Sequence, residues 1–399
     1  MDKNMANYTN AEKRRLDEEE FKKKVDALEQ DEMPTANIMV AGITGTGKST
    51  LLNAIFGQDL AATGRGRPVT EHIDEYQGGD IPIHIWDTVS FELDSAKTKE
   101  SIRAIRQTIA DKADSQDQFD RVHAIWYCIN SGSNRYQGAE LEFIKNLHSI
   151  GVPFLIVLTQ CIGNPDDVDQ FEKQIRDINN SMGMTDIDIV QVCAMPFNLR
   201  GFTIDAFGLD TLVDKTLEKL PDFIKGGFVA AQKVSKSQKR DLCESVINDY
   251  IDIAQKGFWD KVAIVNVFTT DSKIRKMFIK IGKLYNTVLP EGDIKQIIEE
   301  LGSIDLENGF FGLLSPFNKK YNAKLDRLFE EKKKEGFSVE VQSLNKSERV
   351  SRILAFYGYN FLDAVEELWE ELTEQQLKQT DIVLGVLREK LRVKFQSNK

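Results

Sequence analysis

The chain predicts an α/β fold, a mostly parallel doubly wound sheet, followed by an all-α C-terminal domain. Three observations carry this. From about residue 37 to 220, short apolar runs alternate with amphipathic helical stretches. The runs lack polar alternation, which marks strands buried on both faces, and strands alternating with helices build parallel sheets. After about Pro221 strand-like runs become rare and long helical patterns dominate. A length of 399 residues suits two or three domains at roughly 150 residues each.

The elements follow in order. Residues 1–36 predict a charged helix. Leu16, Phe21, Val25 and Leu28 fall near helical spacing, and Pro34 ends the pattern. Strands are expected at 37–41, 81–86, 122–129, 153–158 and 187–192. Between them, helices are expected at 48–56, 98–110, 139–147, 168–179 and 209–220. Helical patterns then run over about 228–256, 259–286, 291–301, 317–335, 346–377 and 379–395. A Gly- and Pro-containing aromatic segment at 307–321 interrupts them. The domains are therefore expected at 1–36, 37–220 and 221–399, with no internal repeat.

Charge and composition exclude several classes. Lys and Arg total 52 against 63 Asp and Glu, a net charge of −11, so there is no strong nucleic-acid signal. No apolar run approaches the ~18 residues of a membrane span, and the first residues lack an apolar signal core. Peripheral membrane contact stays open. Cys128, Cys161, Cys193 and Cys243 form no close-spaced pair, which speaks against disulfides or zinc. His72, His84, His123 and His148 have no metal-ligand spacing. A cytoplasmic location is the expectation.

The sharpest motif is Gly42-Ile43-Thr44-Gly45-Thr46-Gly47-Lys48-Ser49-Thr50, a full G-x-x-x-x-G-K-[ST] phosphate loop. It follows an apolar strand and opens a helix. Its glycines let successive N–H groups turn inward as an anion nest, and the helix N-terminus adds its dipole. Lys48 is expected at the β- and γ-phosphate oxygens and Ser49 at Mg²⁺.

With this loop at the first strand, residues 37–220 resemble the G domain of translation-factor-class P-loop GTPases, nearest the bacterial TrmE–Era-like, 50S ribosome-binding type. The segment from Gly64 to Thr70 and Glu71 resembles the first switch, which assigns Thr70 to the Mg²⁺ shell and the attacking water. Trp86-Asp87-Thr88-Val89-Ser90-Phe91 resembles the D-x-x-G second switch. Asp87 would then hold Mg²⁺, and Ser90 would face the γ-phosphate. Leu158-Thr159-Gln160-Cys161 stands where the family reads guanine. Val192-Cys193-Ala194-Met195 resembles its second base loop, and Phe207 to Leu212 the start of its last helix. The resemblance implies GTP or GDP with Mg²⁺. It implies slow GTP hydrolysis and a switch that acts on a protein partner or a nucleotide-dependent homodimer.

Four departures qualify the pattern. Ser90 replaces the glycine of D-x-x-G. Phe91 stands where many GTPases place a water-orienting Gln, so intrinsic hydrolysis is expected to be slow. Ile162 replaces the Asp of [NT]-K-x-D, which weakens discrimination against adenine; Asp166 and Asp167 follow nearby. Gly45 replaces the Asn of potassium-stimulated relatives. The alternatives are a nucleotide-binding scaffold with little hydrolysis, or a base-promiscuous or ATP-using P-loop NTPase. Arg65 and Arg67 are candidate arginine fingers, and Arg135 a candidate partner contact; solvated arginines are the plainer reading. In the helical region, 258–268 and 310–314 are candidate contact surfaces, with bundle core or loop anchoring the ordinary explanation. The basic C-terminal tail reads as a solvated face.

Overall fold

A computed structural model describes residues 33–57, 67–70, 73–77, 81–88, 95–113, 117–133, 136, 138–199, 201–259, 270–287, 289–307 and 346–396. The expected helix over 1–36 lies outside these residues up to residue 32, as do 317–335, 307–321 beyond Glu307, and 310–314. The chain forms two compact units that divide between Lys236 and Ser237.

The first unit is a seven-stranded sheet in the order β2-β3-β4-β1-β5-β6-β7. Its strands are β1 (Ala36–Gly42), β2 (Arg67–Thr70), β3 (Ile73–Gln77), β4 (Ile83–Thr88), β5 (Ala124–Asn130), β6 (Phe154–Thr159) and β7 (Asp188–Gln191). From β4 to β7 all neighbours are parallel, and β2 and β3 add an antiparallel edge. The two edge strands escape the sequence pattern. Ile73-Asp74-Glu75-Tyr76-Gln77 is polar, as antiparallel edges tolerate and parallel core strands do not. A hairpin of β8 (Phe197–Leu199) and β9 (Phe202–Ile204), turning at Gly201 with φ 93°, is likewise additional.

Helices α1 (Lys48–Phe56), α2 (Ser95–Ala113), α3 (Gly138–His148), α4 (Pro165–Ser181), α5 (Leu209–Lys219) and α6 (Asp222–Ala231) cover the sheet. Every residue of β1 and β6 is buried, which explains their largely apolar sequence, broken only by Asn37 and Thr159. Met39, Ile125, Tyr127 and Ile156 share one core with Ile105, Phe143, Ile144, Phe171 and Ile175 of α2, α3 and α4. On β5, Trp126 alternates with Ile125 and Tyr127. It stacks on Phe56 of α1 at 6.0 Å, and Phe228 of α6 meets both rings edge-on. Full burial of one such side chain contributes on the order of 2 kcal/mol. This aromatic trio is why α6 belongs to the first unit and the division falls after Pro221.

The second unit holds α7 (Lys236–Trp259), which begins at the boundary, then α8 (Thr270–Leu284), α9 (Glu291–Glu307), α10 (Lys346–Glu371), α11 (Glu374–Leu377) and α12 (Thr380–Gln396). Phe278 stacks on Phe361 at 3.8 Å, and Phe395 meets Phe356 and Tyr357. A polar network crosses this core. Arg240 contacts Glu244 at 3.2 Å and Asp363 at 3.1 Å, and also Glu366. Tyr285 donates to Glu366 at 3.0 Å. The fully buried Lys239 donates to the Leu284 carbonyl at 2.6 Å. No helix of the described residues is long and apolar enough to cross a membrane.

Candidate functional site

The topology decides where a ligand fits. The chain leaves β1 and builds β2, β3 and β4 on one side of it. It then crosses to β5 on the other side. Loops diverge at the carboxyl end of β1, the position where open α/β sheets bind ligands.

The loop there has the shape that its glycines require. Gly42, Gly45 and Gly47 have φ of 145°, 80° and 85°. A Cβ on Gly42 would stand 2.5 Å from the Cys128 carbonyl oxygen, so β1 and β5 meet there without side chains between them. Thr46 closes the curl by donating its hydroxyl to the Ile43 carbonyl at 2.9 Å. Gly47 is the N-cap of α1. No side chain caps this helix, and no acidic residue lies in its first turn. The first N–H groups of a helix have no partner within it. Without a built-in cap, this end is set up for an external anion.

Lys48 is buried, and its Nζ donates to the Gly42 carbonyl at 3.1 Å, back across the loop. Its ammonium lies 3.8 Å from Asp87 Oδ1 at the end of β4. Ser49 and Thr50 are exposed in the first turn, as are Thr44 and Gly45 in the loop. Burial pushes the Cys128 thiol up to about 12, so it stays neutral beside the ammonium. The oxygen donors of Ser49 and Asp87 are the kind a hard divalent cation takes together with phosphate and water. These residues therefore fit Mg²⁺. Thr70 ends the edge strand β2, opposite Ile73 in register, rather than sitting in a free loop. Ser90, Phe91, Arg65 and Arg135 lie outside the described residues, as does the Arg67 side chain.

A second group of contacts joins the loops after β6 and β7 to the phosphate loop. Thr159 is buried, and its hydroxyl donates to the Thr46 carbonyl. Gln160 takes a left-handed conformation, φ 53°, and its side-chain amide donates to the Gly45 carbonyl at 2.9 Å. Ser131, in a short 3-10 turn after β5, holds the Gln160 carbonyl at 2.8 Å. The sequence reading missed Ser131; its one signal is a hydroxyl residue directly following a buried strand. Ile162 is half-buried, and Cys161 is buried. Asp166 and Asp167 are exposed in the first turn of α4, which Asn164 caps. Cys193 is bonded through its backbone to Phe207 in both directions, and its thiol donates to the Met195 carbonyl at 3.2 Å. Ala194 is half-buried, and Met195 is 59% exposed. The structure thus brings the phosphate loop, Asp87 and the segments after β6 and β7 to one edge of the sheet.

Residues 37–160 match the family model described as 50S ribosome-binding GTPase. No curated protein matches the chain. Among solved structures, it is similar to a bacterial selenocysteine-specific elongation factor, EF-Sec. That match has 19% identity and a TM-score of 0.32, over 48% of this chain and 30% of that one. A probable GTP-binding protein, engB, matches at 17% identity and TM-score 0.32, over 48% of this chain and 99% of its own. Era from Aquifex aeolicus, as a variant bound to GDP.AlF4-, matches at 17% and 0.32, over 56% and 68%. The chain spans less than two thirds of the elongation factor's length.

Proposed function

We propose that the first unit binds GTP with Mg²⁺ and hydrolyses it slowly, as a nucleotide-controlled switch for a protein partner or for self-assembly. The observation that carries this is the uncapped N-terminus of α1 facing a buried Lys48 beside Asp87. Bound Mg²⁺, held by Ser49, Thr70 and Asp87, would supply charge neutralisation at the phosphates.

The chain's own groups account for the rest of the chemistry. The amides of 44–49 donate to the phosphates, and the Lys48 ammonium swings from the Gly42 carbonyl to their β- and γ-oxygens. Water attacks the γ-phosphorus, the bond to the β–γ bridging oxygen breaks, the water's proton passes to a phosphate oxygen, and GDP and inorganic phosphate leave. Lys48 balances the charge that builds on the oxygens, and Thr70 orients the water. Thr159 and Gln160 hold the loop carbonyls in place during this step.

A thermal-shift panel with GTP, GDP, a non-hydrolysable GTP analogue and ATP, each with and without Mg²⁺, tests the reading. Ligand at 100 times its Kd stabilises by about 2.7 kcal/mol. Lys48→Ala is expected to abolish the shift, and persistence of the shift in that variant sinks the site. Phe91 favours a second reading, a nucleotide-holding scaffold without turnover, since a phenyl ring cannot orient water. Single-turnover phosphate release that depends on Lys48 and Thr70 supports the switch. Its absence at every protein concentration supports the scaffold.

A further inference from the structure

The curl of the phosphate loop is held from outside. The Gln160 side-chain amide donates to the Gly45 carbonyl at 2.9 Å, and the Thr159 hydroxyl donates to the Thr46 carbonyl. In a trans peptide the N–H and C=O point opposite ways. Drawing these two carbonyls toward β6 turns the N–H groups of Thr46 and Gly47 away from it, into the curl that receives an anion. The Thr46 N–H rests on the Ile43 carbonyl at 3.3 Å, and Gly47 heads α1. A Cβ on Gly47 would lie 3.4 Å from Gln160 Nε2, so the Gln160 side chain lies against the loop.

This grip depends on a backbone angle that glutamine resists. Gln160 has φ 53°, and among the described residues Asn286 is the one other non-glycine with positive φ. Side chains enter that region when their surroundings hold them there. Two hydrogen bonds to the Gln160 carbonyl do so. One is local, from the Ile162 amide at 2.8 Å. The other comes from a different strand end, from the Ser131 hydroxyl at 2.8 Å. Asn130 and Thr159 are partners in the parallel register of β5 and β6, so Ser131 and Gln160 leave the sheet side by side. Ser131 is 5% exposed, and a hydroxyl buried that deeply is costly unless it is bonded. Ser133, exposed in the same turn, donates instead to the Asn130 carbonyl at 2.8 Å.

Resting on the nucleotide reading above, we infer that Ser131 is a positioning residue for the phosphate loop. Its hydroxyl fixes the Gln160 carbonyl. The fixed backbone aims the Gln160 amide at Gly45, and the loop amides are set before phosphate arrives. Ser131 thus acts from the end of β5, through the residue after β6, on the loop after β1. Its effect on binding passes through the Gln160 side chain.

Equilibrium binding of Mg·GTP to the full chain, measured beside urea midpoints, tests this. Ser131→Ala is expected to weaken binding about fivefold. Ser133→Ala removes a hydroxyl bond of the same 2.8 Å length in the same turn, and is expected to change binding less than about twofold. Gln160→Gly is also expected to weaken binding about fivefold, since glycine accepts the left-handed angle but carries no side-chain amide. Adding Ser131→Ala to Gln160→Gly is then expected to change binding less than about twofold, a coupling that general loss of stability does not produce. Native-like binding by Ser131→Ala overturns the inference. Equal weakening by Ser133→Ala, or a further loss of about fivefold in the double variant, overturns it too. If Ser131→Ala does not unfold cooperatively in urea, Ser131→Cys, close in shape with a weak S–H donor, takes its place under the same expectations. If the native protein binds no Mg·GTP, the nucleotide reading falls and the inference with it, whereas binding indifferent to Ser131 overturns the inference by itself.

Discussion

At Gly42 two demands coincide, a backbone angle of φ 145° and a Cys128 carbonyl oxygen 2.5 Å from where a Cβ would stand. Gly42→Ala is expected to cost on the order of 3 kcal/mol in urea unfolding and to remove nucleotide stabilisation with it. His123 is the other telling residue. The Asn37 amide donates into its Nδ1 at 2.9 Å, so the ring is neutral, with Nε2–H toward the Gln118 carbonyl. Burial lowers its pKa, only partly offset by the Gln118 hydrogen bond, and His84 is lowered in the same direction. A group whose folded pKa lies below its unfolded value stabilises the neutral side. Stability is therefore full above about pH 6.5 and falls as pH drops through that value toward the folded pKa. Urea midpoints measured from pH 8 to 5 are expected to show this fall, with a shallower slope in His123→Gln. The phosphate-loop residues were legible in the sequence because their spacing is itself the chemistry. The contact by which Gln160 clamps Gly45 was not. It depends on a left-handed backbone that a glutamine adopts only under tertiary constraint.

Among elements, the parallel strands and their helices were readable because burial on both faces leaves an unbroken apolar run. The antiparallel edge strands were hidden by their polarity. The β8–β9 hairpin carries a signal, a glycine between two short stretches with apolar ends, too brief to mark strands by pattern alone. In the second unit the periodicity showed helices without showing what joins them. Arg240 joins α7 to α10 through Asp363 and Glu366, and Glu366 is nearly buried. Arg240→Met leaves those carboxylates without their cation and is expected to cost about 2 kcal/mol, a figure discounted for partial exposure. Pairing it with Glu366→Leu is expected to recover most of that loss, since an apolar pair replaces a buried charge that has lost its partner. Urea unfolding of both variants measures it.

Over the whole molecule, charge is the property the sequence determines most directly. The net charge of −11 and sequence pI of about 5.1 give a chain that repels itself at neutral pH. Solubility is expected to pass through a minimum near pH 5. That interval also holds the destabilised side of His123 and His84, so acid precipitation should begin earlier for native protein than for His123→Gln. Turbidity against pH reads this directly. The division of the chain was less legible, because Pro221 signals a change of rhythm while α6 beyond it still packs on the sheet.

The contact between Gly227 and Pro34 has a practical consequence. A Cβ on Gly227 would lie 1.7 Å from the Pro34 carbonyl oxygen, so the polypeptide enters the first unit pressed against the helix that comes just before its exit at Lys236. The segment that leads into β1 and the helix that closes the unit are thus locked together, and a side chain at position 227 would push them apart.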